Sequence, residues 1–272
     1  MKLTHLLPTT TALILVATNA HAGFVTFESS GSNAAAITPA RDAFRLAIGG
    51  GTVAGANGSF GGLRREINWD GVPAASSDPS LLAANFFNTT SPRGAVFSTP
   101  GTGFLVSANA GGASATLFGF PSDFATFSAQ KLFTAVGSNI TDVSFFLPGT
   151  TIPATTSAFG LVFTDVEVAA ATKLEFFDTN NLLLYSRDAL TSTNQGFSFV
   201  GAAADAGERI GRVRITSGAN TLLSNGVLGN PNDDIVVMDD FLYAEPTVIP
   251  EPTTALFGLA LIGFASTRSR RD

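Results

Sequence analysis

Between residues 23 and 250, short runs of Phe, Val, Leu and Ile are cut into strand-length pieces by clusters of Gly, Pro, Ser, Thr and Asn. Runs of this length and composition, bounded by turn residues, predict β-strands, and many in succession predict a sandwich or barrel. The expected strands cover residues 94–98, 103–107, 114–118, 125–133, 140–147, 158–166, 173–177, 182–186, 197–201, 209–216 and 235–243. Arg212-Val213-Arg214-Ile215 alternates polar and apolar, as a half-exposed strand does. Two short helices are expected. One is capped by Thr38 with Pro39 in its first turn and ends at Gly49; the other opens at Asp78-Pro79 and runs through Phe87. Residues 49–62, which begin with three glycines, read as a flexible surface loop.

The ends of the chain follow other rules. Lys2, an apolar stretch over residues 6–17 and the small residues of Ala20-His21-Ala22 form a secretory signal, with cleavage expected after Ala22. At the other end Pro250-Glu251-Pro252 precedes an uncharged apolar run over residues 255–265, then Arg268, Arg270 and Arg271. Arginines after an apolar helix favour retention on the cytoplasmic side, and they resist burial in a domain core. These parts in this order resemble the PEP-CTERM sorting signal of Gram-negative bacteria. The resemblance implies an exported protein and transient membrane anchoring through the tail. It also implies removal of the tail by an exosortase, a membrane transpeptidase, and residence at the cell surface or in an extracellular matrix rich in exopolysaccharide. The expected organisation is a signal peptide over 1–22, a β-sandwich domain over 23–246 and a sorting tail over 247–272.

The expected body is all-β: an antiparallel two-sheet jelly-roll-like sandwich with one or two short helices. An N-terminal strand over residues 24–28 is expected beside the last strand, 234–243. That end-to-end pairing resembles the jelly roll of carbohydrate-binding modules, a likeness of architecture alone. The segment from Arg64 to Pro73, with Phe86-Phe87-Asn88, Ser91-Pro92-Arg93-Gly94, residues 160–166 and Met238-Asp239-Asp240-Phe241, resembles a set of uncharacterised secreted bacterial proteins. That likeness spans most of the domain and brings no activity with it.

Composition narrows the chemistry. The chain has no Cys, and both of its His, His5 and His21, lie in the signal segment. The exported body therefore cannot build a disulfide, a Ser-His-Asp triad, a Cys-His nucleophile or a His/Cys zinc site. Carboxylate, Ser-Lys and oxygen-ligated metal chemistry stay open. Processing removes Lys2 and three arginines against Glu251 and Asp272, so the net charge of −6 becomes −8. An acidic body without a basic cluster is not expected to bind nucleic acid, whose phosphates need Lys and Arg.

Three clusters are candidate sites. On a strand with strict alternation, Asp239 and Asp240 face opposite ways, so at least one carboxylate lies on an apolar face and needs a partner. One reading is a structural calcium site using Asp239, Asp240 and Glu28; the other is an Asp bonded to backbone or to an arginine. Arg64, Asn68, Trp69 and Asp70 would suit a sugar-binding platform, with the ring stacking and the polar groups meeting hydroxyls. The alternative puts Trp69 in the core and pairs the arginines with Glu66 and Asp70. The presence of one Trp and two Tyr in the chain favours that alternative. Asp165 and Glu167, two apart on an expected strand, are the pair from which a carboxylate glycosidase would be built. The expectation from the whole is a non-enzymatic structural or adhesive envelope protein. An exopolysaccharide-binding module is its rival, and a carboxylate-dependent glycoside hydrolase a more distant one.

Overall fold

The strand-length segments pair into two antiparallel sheets in the computed structural model, which describes residues 23–112, 114–223 and 233–248. The signal residues Ala20 and Ala22 lie outside the described residues, as do Pro250, Glu251, Pro252, Arg268, Arg270 and Arg271 of the tail.

In chain order the elements are β1 (Phe24–Gly31), α1 (Ala34–Ile48), β2 (Ser59–Phe60), β3 (Arg64–Ile67), α2 (Phe86–Thr89), β4 (Ala95–Ser98), β5 (Gly103–Val106) and β6 (Phe133–Val136). They continue with β7 (Ile140–Phe145), β8 (Ala158–Thr164), β9 (Lys173–Phe177), β10 (Leu183–Asp188), β11 (Phe197–Ala204), β12 (Arg212–Thr216) and β13 (Val237–Ala244). The larger sheet has eight strands in the order β1-β11-β8-β13-β3-β2, with β6 also on β13 and β5 on β6. The smaller sheet has five, β10-β9-β12-β7-β4. Between them Phe97, Phe145, Phe176 and Val213 of the small sheet meet Phe133, Phe159, Phe163 and Phe241 of the large one in a single buried cluster. Burying side chains of this size stabilises by roughly 1.5–3 kcal/mol each.

A second apolar layer covers the other face of the large sheet. Helix α1 places Ile37 and Phe44 on Val162, Phe199 and Leu242. Phe44 lies over Gly160 and Gly201, which face each other across β8 and β11. A Cβ on either glycine would come within 3.1 Å of the Phe44 ring, so this pair of glycines is the slot that seats the helix.

Several expectations are corrected. The first strand forms but is not beside the last, because β11 and β8 stand between β1 and β13. Helix α1 ends at Gly49 as expected but starts earlier, because the Asn33 side chain accepts from the Ala36 N–H and caps it there. No helix opens at Asp78-Pro79. The Asp78 and Leu82 amides donate to the Val106 and Phe104 carbonyls, which holds this stretch, a turn over 77–80 followed by a single bridge at Leu82, against β5, and α2 is only four residues long. Residues 114–118 hold a single bridge at Thr116 and the start of a 3-10 turn, and 125–132 are irregular rather than strand; Phe118 and Leu132, with Phe124 between them, pack against Ile235 and Val237.

Candidate functional site

The polar centre of the molecule is a β-bulge. Met238 is opposite Phe163 and Phe241 is opposite Leu161, so Asp239 and Asp240 together face one residue of β8. The bulge lies where β13 changes partner on its other edge, from Phe133 of β6 to Ile67 of β3. It breaks the strict alternation expected from the sequence: Met238 and Phe241 both enter the core between the sheets. The two carboxyls are not on opposite faces; both meet groups of the α1 side. Asp239 accepts from the Phe127 amide at 2.6 Å and the Ser128 hydroxyl at 2.9 Å. Asp240 lies within electrostatic reach of Arg45 and Glu66, and its buried Oδ1 has no hydrogen-bond partner.

Burial, and then the neighbouring Asp240 charge, push the Asp239 carboxyl well above the usual range. Burial raises Asp240 as well. Two carboxylates this close in a dry site oppose each other's ionisation, which adds to the effect of burial. Nothing reactive reaches it: Asp239 is 0% and Asp240 5% exposed.

Above the bulge stands an arginine cluster. Glu66 of β3 accepts from Arg45 Nε at 2.8 Å and Nη2 at 2.6 Å, and from Arg64 Nε at 2.6 Å. Arg64 also donates to the Gly49 carbonyl at 2.6 Å and the Gly51 carbonyl at 3.1 Å, while its plane lies 4.3 Å over the Phe60 ring. The glycine loop therefore wraps a guanidinium. Gly50 has φ +98°, and a Cβ there would lie 2.4 Å from the Phe60 carbonyl oxygen, so the wrap requires glycine. Between α1 and this loop is a groove of about 490 Å³.

The structure distributes the other site residues differently from the expectation. Trp69 is 1% exposed. It stacks on Phe133 with centroids 3.9 Å apart, meets Phe241 edge-on, and donates from Nε1 to the Asp239 carbonyl at 2.8 Å. It closes the gap between β3 and β6 from inside and offers no platform to a sugar. Asn68 beside it is exposed. Asp70 accepts from the Lys131 amide at 3.1 Å. Arg65 pairs with Glu245 and not with Asp70. Glu28 is ion-paired with Arg187 on the outer strand of the sheet and is not brought to Asp239 and Asp240. Among the described residues no group of three or more carboxylates is placed to hold a metal ion.

Sequence reasoning missed two arrangements, although it had singled out Asp165 and Glu167 of the second. Lys131 is wholly buried and donates from Nζ to the Val72 carbonyl and, at 2.9 Å, to Ser77 Oγ. This is a Ser-Lys contact, but Ser77 donates its own proton to the Pro73 carbonyl at 3.0 Å. The lysine thus pins the turn over residues 72–77 instead of accepting a proton from the serine. Burial pulls the Lys131 amine below its ordinary value. No short-range signal marks this pair, because its members are 54 residues apart.

The second arrangement is an acidic cleft of about 310 Å³ that includes Asp123, Asp165, Glu167, Asp233 and Asp234. Asp165 lies just past the end of β8 in the left-handed region (φ 71°), so it does not share a strand face with Glu167. Its Oδ1 accepts from the Gln195 amide at 3.1 Å. Burial raises its carboxyl to about 7, with Glu167, Asp234 and Asp123 adding to the rise. Asp234 is turned to backbone, accepting from the Val168 amide at 3.1 Å.

No protein-family model matches the chain, and no curated protein matches it. The site is therefore read from its own chemistry: paired or internally bonded carboxylates below, and an arginine-walled groove above.

Proposed function

We propose that this chain is an exported, non-enzymatic component of a bacterial envelope or extracellular matrix. Its role is structural or adhesive, and an exosortase sorts it through the tail at residues 250–271. We class its body as a jelly-roll-like sandwich. What supports this is the path after β7, where successive strands pass to the large sheet, back to the small one for β9 and β10, and then alternate through β11, β12 and β13.

The observation that carries the functional reading is the closed aromatic interior. Trp69, Phe97, Phe133, Phe145, Phe159 and Phe163 are all essentially without exposure and touch other rings or branched side chains across the sheets. Of the carboxylates nearest to it, Asp239 is turned to a backbone amide and a hydroxyl and Glu66 to guanidinium groups. A body built this way is rigid and presents its variety at the rim, which suits a scaffold or an adhesin. The exopolysaccharide-binding alternative gains no support from Trp69, whose faces are covered.

The test is the mass of the native chain recovered from the envelope and medium of its host. The expected product begins at Gly23 and lacks the tail beyond Pro250-Glu251-Pro252, and replacing Arg268, Arg270 and Arg271 by Ala leaves the tail in place. A cytoplasmic chain that keeps Met1 and Asp272 would overturn the reading.

A further inference from the structure

The groove beside α1 differs from the other recesses in how its cations are used. Arg45 and Arg64 direct nitrogens at Glu66, at Asp42 (3.3 Å from Arg45 Nη1) and at the loop carbonyls. Arg41 uses Nε alone, on Asp42 Oδ1 at 2.8 Å. Among the described residues neither terminal nitrogen of Arg41 has a partner. Its guanidinium is nevertheless held in place, 4.9 Å over the Phe127 ring and with 14% of the side chain exposed, so its free edge is already oriented. A guanidinium edge with two parallel N–H groups matches the geometry of a carboxylate.

The donors left over set the kind of ligand. Three guanidinium groups (Arg41, Arg45, Arg64) stand against Asp42 and Glu66 in the groove and its floor, and Asp240 beneath them also acts on Arg45. Arg45 and Arg64 are thus matched, and Arg41 is the group with free donors, on one edge that takes one carboxylate. The Asp42 side chain is 52% exposed, and its Oδ2 is open to accept from hydroxyls. The upper wall is apolar: Leu46 is 85% exposed and Phe60 lines the same recess. The volume is within the range of small-ligand sites, roughly 300–1,000 Å³. The matching ligand has one carboxylate, several hydroxyls and an apolar C–H face.

We propose that this groove binds a hexuronate unit of an acidic polysaccharide, with Arg41 gripping the carboxylate, Asp42 taking hydroxyls and Leu46 and Phe60 covering the ring. This deepens the adhesive reading and rests on it only for the setting in which the polymer is met. The two fail separately: a chain that is never exported would still bind, and a chain that does not bind would still be sorted.

The experiment is calorimetric titration of the purified chain with galacturonate, its trimer and the uncharged glucose trimer, on wild type, Arg41→Gln and Arg41→Lys. The wild type is expected to bind a uronate at least about tenfold more tightly than the glucose trimer, and Arg41→Gln to lose about tenfold of that affinity while remaining folded at the titration temperature by circular dichroism. Arg41→Lys should recover part of the loss, because a point charge keeps the attraction without the two-pronged grip. Binding of the monomer and binding of the trimer alone both support the groove as the site; the first locates recognition in one sugar unit, the second in a linked chain. Equal affinity for charged and uncharged sugars, equal affinity in wild type and Arg41→Gln, or no uronate binding by the folded wild type would each overturn the proposal.

Discussion

Two charged regions of this molecule treat a carboxylate in opposite ways. In the cluster beneath α1, Glu66 stands between Arg45 and Arg64, with bidentate geometry to the first. In the cleft beyond β8, Asp165 is surrounded by Glu167, Asp234 and Asp123, and no guanidinium acts on it; its carboxyl rises to about 7. The first region stores stability in pairing, the second gives some up through like-charge crowding. Clusters of acidic residues in a sequence do not distinguish these outcomes. Glu66 takes Arg64 from two residues away but Arg45 from an element 21 residues away, and the partners of Asp239 come from 111 and 112 residues away.

The largest expected effect comes from removing the support under the arginine cluster. Trp69→Ala leaves a cavity among Phe133, Phe87 and Phe241 and leaves the Asp239 carbonyl without its donor. We expect a loss of about 3–5 kcal/mol in denaturant unfolding. A loss below about 1 kcal/mol would mean that the ring does not close the gap between β3 and β6. Glu66→Gln tests the pairing itself. It strands two guanidinium groups, one of them almost fully buried, and should lower stability by about 3 kcal/mol. If instead it were neutral, the cluster would be no more than a set of solvated surface charges.

The acidic cleft gives the opposite sign. The folded chain holds the Asp165 proton up to about pH 7, against an ordinary value of 3.8. The stabilisation tied to that proton is complete below about pH 4 and is lost as pH rises through 7. The melting temperature should therefore fall between pH 5 and pH 8. Asp165→Asn keeps an acceptor for the Gln195 amide and removes the titration, so it should raise stability at pH 8 by about 1–2 kcal/mol and flatten the pH dependence. A variant that is less stable than wild type at pH 8, or as pH-sensitive, would contradict the contrast between the regions.

The smallest effect belongs to an exposed pair that resembles the cluster only on paper. Glu28→Gln breaks the contact with Arg187 at the sheet edge. It should change stability by less than about 1 kcal/mol, an effect that salt screens out. A larger loss would show that the edge strand is held by charge and not by its ladder to β11.

Much of the strand pattern was legible because it is local. Residues 173–177 coincide with β9, and the runs that became β7, β8 and β11 differ from the structure only at their ends. These segments carry their own burial pattern and turn residues. Strand β3 was missed because Arg64-Arg65-Glu66-Ile67 looks like a solvated surface. Its period-two alternation, with Glu66 toward the arginines and Ile67 in the core, was the available signal. The bulge at Asp239-Asp240 had no such signal. It arises because two short strands share one edge of β13, and only the assembled sheet decides where they meet. The placement of Glu28 failed for a related reason: first and last strands in one sheet need not be neighbours.

On the proposal above, the groove walled by Arg41, and not the acidic cleft, meets the acidic polymer. The most direct measurement is retention of the chain on immobilised polygalacturonate, comparing wild type, Arg41→Gln and Asp165→Asn at pH 7. The account predicts retention of wild type and Asp165→Asn and loss of Arg41→Gln. Retention of Arg41→Gln with loss of Asp165→Asn would contradict it.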